Sequence, residues 1–156
     1  MPSTRSILIA LKEAYPRLVF KSGADFQWED ATHTITYPRP TSDEGWTAQL
    51  LHEIAHAELQ HQHYSRDIEL LGKERDAWQH AVKKLAPTYD VSITPQIVEE
   101  AMDSYRDWLH ARSTCPVCQA VGMETAKHVY ACPACRHQWQ VNEARICGLR
   151  RYGIQK

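Results

Sequence analysis

Apolar positions in this chain recur with two different periods, and the changes between them mark out the elements. A helix is predicted over about residues 4–14. Three strand-like runs follow at 17–21, 25–29 and 33–37, separated by Ser22-Gly23 and Asp30-Ala31, and they read as an antiparallel meander. Within the third run, His33 to Tyr37 is the candidate edge strand for an extended partner, with Pro38 and Pro40 ending its pairing. Trp46, Leu50, Ile54 and Ala57 then repeat at helical spacing behind Thr41 and Glu44, which form a capping-box pattern. Between Gly72 and Leu85 a second helical stripe runs through Ala77, Trp78, Ala81, Val82 and Leu85. Glu74 stands at its start, while Asp76, His80, Lys83 and Lys84 fall on the polar side. After Pro87, Thr94 and Pro95 suit an N-cap and first helical position. The helix they open runs to about Arg112, with Val98, Met102, Tyr105, Trp108 and Leu109 on one side and an acidic face on the others.

This order of helices and strands gives an α+β class. The 156 residues suffice for one catalytic core, expected over 1–112, and a small metal-stabilised module over 113–156. No segment approaches twenty apolar residues, and the apolar run 6–11 meets Lys12 and Glu13 at once. Neither a membrane span nor a signal peptide is expected, and the protein reads as cytoplasmic with its thiols reduced or metal-bound.

Chemistry concentrates in Leu50-Leu51-His52-Glu53-Ile54-Ala55-His56-Ala57, which contains the pattern H-E-x-x-H. Residues four apart share a helix face, so His52 and His56 can ligate one ion while Glu53 reaches a water beside it. A hydrolytic zinc site of this kind needs a third protein ligand. Glu74 is the better candidate, because a carboxylate on a buried stripe is costly unless paired or bound to metal. Asp76 is the second choice, as ligand or as a partner that orients an imidazole. His61 lies five residues beyond His56 and, on a continuing helix, points away from that face. With His63 it reads as a solvated helix-end residue. Tyr64, Tyr89 and His110 are candidate donors to a developing oxyanion.

Cys115-Pro116-Val117-Cys118 and Cys132-Pro133-Ala134-Cys135 are two Cys-x-x-Cys pairs separated by thirteen residues that include the strand candidate Val129-Tyr130. Two such knuckles make a closed tetrahedral four-thiolate site, which is structural. The fifth cysteine, Cys147, reads as a small buried hydrophobe or a free thiol. From 111 to 156 the chain carries seven basic and two acidic residues, a net charge of plus five in a chain whose total is minus one. A basic ribbon on an acidic domain suggests DNA or an acidic protein partner, with Tyr130 and Trp139 as candidate stacking residues.

The pair of motifs, His52-Glu53-Ile54-Ala55-His56 and, seventeen residues on, Glu74-Arg75-Asp76-Ala77 with Ala81 and Leu85, resembles the core of small glutamate-zincins, including ImmA/IrrE-type metallopeptidases. The resemblance spans about residues 4–87, and His80 stands where that family usually has an aromatic. It implies a minimal zincin fold, a zinc completed by Glu74, and a protein substrate, often a transcriptional repressor. In architecture the chain also resembles SprT-like proteases, which join an H-E-x-x-H domain to a zinc-binding C-terminal segment and act on proteins at DNA. Those take their third ligand from a downstream His, where this chain offers Glu74. The expectation is a zinc endopeptidase with one catalytic and one structural zinc and Glu53 as general base. Its rival is a non-catalytic zinc-binding module contacting nucleic acid or a protein through the ribbon.

Overall fold

The computed structural model describes residues 1–143 and 151–153; Cys147 and the basic residues Arg145, Arg150 and Lys156 lie outside the described residues. The chain is mixed α+β, with helices, two small sheets and a cysteine cluster in its C-terminal part. Among the described residues no helix is long and apolar enough to cross a membrane. Chain contacts separate two units, Met1–Gln62 with Lys73–Glu100, and His63–Gly72 with Ala101–Lys156. Residues 63–72 and 101–112, on the N-terminal side of the boundary drawn from sequence, thus group with the second unit.

In the first unit, α1 (Thr4–Ala14) starts at Ser3, whose side chain accepts from Ser6 N–H, and buries Ile7, Leu8 and Leu11. Next come β1 (Val19–Ser22), β2 (Gln27–Glu29) and β3 (Thr34–Tyr37), in the order β1-β3-β2. This corrects the meander. β3 pairs parallel with β1 and antiparallel with β2, so it is the central strand and not an edge. Burial explains the choice: Ile35 and Tyr37 are the buried strand residues, whereas β1 and β2 have no buried position. The strand with a core-facing pair belongs in the middle, where both of its backbone edges are also bonded. Gly23 follows β1 so closely under Thr36 that a Cβ there would lie 2.3 Å from the Thr36 methyl, and only glycine fits.

Helix α2 (Glu44–Glu58) is capped by Asp43, which accepts from Gly45 N–H at 3.0 Å, and not by Thr41. Asp43 adjoins the first turn and is at least as good a cap as threonine, so it takes the position. Thr41 Oγ1 instead accepts from Asp43 N–H. Leu50 through His56 are all buried, which makes α2 a central helix and not a striped surface one. Full burial of Leu50, Leu51 and Ile54 contributes roughly 1.5–3 kcal/mol each, and that gain carries His52, Glu53 and His56 into the interior with them.

α3 (Asp67–His80) gives its residues from Lys73 onward to this unit and runs into a π-helical turn, Ala81–Leu85, and then α4 (Ala86–Thr88). Pro87 supplies the reason for the wide turn, because its ring would clash with the carbonyl four residues back in a regular helix. The extra residue shifts the phase. Val82, which a 3.6 period puts on the buried stripe, is 37% exposed, while Ala81, Leu85 and Ala86 stay buried. α5 (Pro95–Ser113) opens with Thr94 Oγ1 accepting from Ile97 N–H, as expected.

The second unit is built on a four-stranded antiparallel sheet, β4 (Met123–Ala126), β5 (Val129–Ala131), β6 (Gln138–Val141) and β7 (Arg151–Gly153), in sequence order. Tyr130, Trp139, Val141, Cys115 and Cys132 form its core. Trp139 is fully buried and Tyr130 nearly so, with stacked rings 5.7 Å apart, so neither offers a face to a nucleic-acid base. Gly122 passes against Trp139 with room for no side chain. Arg112, also fully buried, donates from Nε to Asp67 Oδ2 at 2.8 Å, and Tyr130 donates to the same oxygen at 2.6 Å. Breaking such a buried pair from one side costs about 3–5 kcal/mol.

Candidate metal centres

Among the described residues three groups of side chains could hold a metal ion, the third being Asp67, Glu124 and His128, and two coincide with the motifs: His52, His56 and Glu74 in the first unit, and Cys115, Cys118, Cys132 and Cys135 in the second. In each group the ligand atoms all lie within 4.8 Å of one another.

The first group is made by two helices. α2 supplies the imidazoles, one turn apart, with ring centroids separated by 4.5 Å. α3 supplies Glu74, whose Oε2 lies 2.8 Å from His52 Nε2 and whose Oε1 lies 3.3 Å from His56 Nε2. His52 Nε2 and Glu74 Oε2 are buried, close, and yet without a hydrogen bond. Buried polar atoms so near one another and without hydrogen bonds suit the donors of one ion. The set of two imidazoles and one carboxylate is also that of open hydrolytic zinc centres. Among the described residues the fit is therefore good in donor type, convergence and unfilled polar valence.

Charge balance points the same way. Burial opposes protonation of His52, but the carboxylates of Glu53 and Glu74 outweigh it and push the group up to about 9. Burial likewise raises Glu74, and His52 and His56 more than reverse this, holding it far below the usual carboxylate range. Two buried carboxylates beside neutral imidazoles leave negative charge that demands a cation, whether a proton or a metal. Glu53 is 8% exposed, with Oε1 3.3 Å from His52 Nδ1, and it stands outside the three-ligand group.

Asp76 is not with them. Its side chain is half exposed and pairs with Arg75 at 3.2 Å, so it serves neither as ligand nor as partner to one. Tyr89 belongs to another cluster, in which Tyr15 and His80 both bond to Glu58 and burial raises the Tyr89 hydroxyl.

Two residues of the site escaped the sequence reading. Trp78 stacks on His52 with ring centroids 4.3 Å apart and planes 15° from parallel, so it fixes that imidazole and walls one of its faces. The signal was present, since Trp78 is one turn beyond Glu74 on the same stripe. His61 is the second, and here the expectation is corrected. α2 ends at Glu58, Gln60 takes a left-handed φ of 55°, and the chain doubles back so that His61 Nδ1 comes 2.8 Å from His56 Nδ1. Burial and His56 lower the His61 pKa to about 4, which keeps it neutral.

The cysteine group is assembled from two equivalent turns. In each, the first cysteine sulfur accepts a backbone N–H at 3.4 Å, from Val117 in one and Cys135 in the other. The residue after each second cysteine, Gln119 or Arg136, has a φ of 64° and donates its N–H to the first cysteine's carbonyl at 3.0 Å. The sulfurs meet in pairs, Cys118 with Cys132 at 3.4 Å and Cys115 with Cys135 at 3.6 Å. The backbone N–H of Cys135 leads the effects that lower Cys132 to about 7. For Cys135 the His137 N–H favours the thiolate, but burial and the neighbouring thiols override it and push the group up to about 12. Four sulfurs this close cannot all ionise without a cation among them. His128 and His137 are not in this group, so neither replaces a thiolate.

Comparison with protein-family models, with curated proteins and with solved structures finds no match to this chain.

Proposed function

We propose that the first unit is a zinc-dependent peptidase of glutamate-zincin type, hydrolysing peptide bonds of a protein substrate, and that the cysteine group holds a structural zinc. The observation that carries this reading is the close approach of His52 Nε2 and His56 Nε2 to the Glu74 carboxylate, with Glu53 adjacent and outside the group. A zinc ion held there supplies a Lewis acid that lowers the pKa of water and polarises a carbonyl. Glu53 takes the proton of the attacking water and returns it to the departing amine. Trp78, stacked on His52, would hold that ring in place as a ligand.

The depth of the site favours a second reading, in which this zinc too is structural: His52, Glu53, His56 and Glu74 are all at most 8% exposed. Glu53→Gln separates the two. A peptidase keeps two zincs per chain and loses turnover of an unfolded protein substrate by about 10²–10⁴-fold, the usual worth of a general base. No proteolysis by a wild type that holds two zincs would establish the structural reading. A wild type holding one zinc, unchanged in His52→Ala, would remove both.

A further inference from the structure

The first metal group has an asymmetry that its three ligands do not explain. Each histidine has one nitrogen aimed at the shared point, and each needs its other nitrogen accounted for. For His52 the far nitrogen lies near Glu53 without a hydrogen bond. For His56 it faces the ring of His61, Nδ1 to Nδ1, at 2.8 Å.

At that separation one proton lies between the two nitrogens. Two protons would collide, and two lone pairs would leave both nitrogens unsatisfied. If His56 Nε2 is a ligand it is bare, the His56 proton is on Nδ1, and His61 Nδ1 is the acceptor. The tautomer of His61 follows, with its own proton on Nε2.

His61 does not reach this place by chance of a loose loop. Its N–H donates to the His56 carbonyl at 3.0 Å, and its carbonyl accepts from Trp28 Nε1, also at 3.0 Å. The next residue is held as well, by Lys73 Nζ donating to the Gln62 carbonyl at 2.7 Å. The backbone around the ring is pinned by groups from β2, α2 and α3, and the rings of His56 and His61 meet edge to face at 5.0 Å. A residue that only ended the helix would need the backbone bond and no ring in this position.

We propose that His61 is a positioning residue for the metal centre: it accepts the His56 Nδ1 proton and thereby commits His56 Nε2 to the ion. This rests on the proposed metal site and deepens it. Partners of this kind set the tautomer and orientation of a ligating imidazole, and their loss weakens metal binding about 10–100-fold.

The test is competition titration of the first site with Zn²⁺ against a chromophoric chelator, on the full chain with its cysteine site loaded. His61→Phe fills the space without an acceptor, and His61→Asn puts an acceptor oxygen near the place of Nδ1. The expected result is a 10–100-fold loss of affinity in His61→Phe and recovery of most of it in His61→Asn, with metal-free thermal unfolding equal in the two variants. Wild-type affinity in His61→Phe, or equal losses in the two, overturns the role of His61 and leaves the metal site standing. A wild type that takes up no second zinc overturns the site, and the role with it.

Discussion

The two metal-ligand groups are made in opposite ways. Each half of the cysteine group is complete within four residues, Cys115 to Cys118 and Cys132 to Cys135, and the backbone–backbone bonds that close the two turns match, although the N–H donated to the first sulfur differs. The group of His52, His56 and Glu74 exists only because a core helix is packed against another, separated from it by eight residues of chain. A site built from local turns has little else to hold it, so the ion and the fold are one. A site built on two packed helices inherits its shape from apolar burial, and the ion is an addition to a framework that already stands. The expected consequence is that ligand loss unfolds the first kind and merely empties the second.

The largest effect should come from Cys132→Ser. Structural zinc in small modules contributes on the order of 10–16 kcal/mol, more than the core of Tyr130, Trp139 and Val141 can replace. This variant is expected to lose one zinc and to shift the emission of the buried Trp139 to the red. His52→Ala should also lose one zinc but keep its helical circular dichroism. A Cys132→Ser protein that unfolds no more than His52→Ala would erase the contrast.

An intermediate effect concerns pH. His52 is raised to about 9 from 6.5, so in chelator-treated protein its contribution is complete below 6.5 and is lost as pH rises through about 9. Unfolding of wild type and His52→Asn, both stripped of metal, should show a wild-type advantage that shrinks over that window. A constant difference would mean that no proton replaces the ion.

The smallest effect tests the knuckles. Arg136 holds a φ of 64°, which costs a residue with a Cβ about 1 kcal/mol. Arg136→Gly should therefore raise the denaturation midpoint of the second unit slightly, offset in part by the freedom glycine adds to the unfolded chain. A clear loss of stability would show that the Arg136 side chain contributes something its exposure conceals.

The same local and long-range division governs what could be read in the sequence. The bounds of α1, the four cysteines, the histidine pair and the Thr94 cap depend on neighbours in the chain, and all were legible. Glu74 was legible too, because burial of a carboxylate on an apolar stripe has few explanations. The strand order was not, since runs of three or four residues at β1 and β2 carry too little alternation to fix a partner. His61 was misplaced by extending a helical wheel past Glu58, where the helix had stopped. The π-turn ahead of Pro87 shifted Val82, because a 3.6 period read up to Leu85 takes no account of a proline two residues beyond it.

Arg112 changes how the second unit looks from outside. Its partner, Asp67, precedes it by 45 residues, so a tally of residues 111–156 counts the cation and omits the anion that cancels it. A molecule approaching through water meets neither. Among the described residues of that stretch, the exposed cations are Lys127, which has Glu143 at 3.9 Å, Arg136, and Arg151, which already donates to the Thr114 carbonyl. Among the described residues, the charge such a molecule senses is smaller by the Arg112–Asp67 pair than a tally of the stretch suggests.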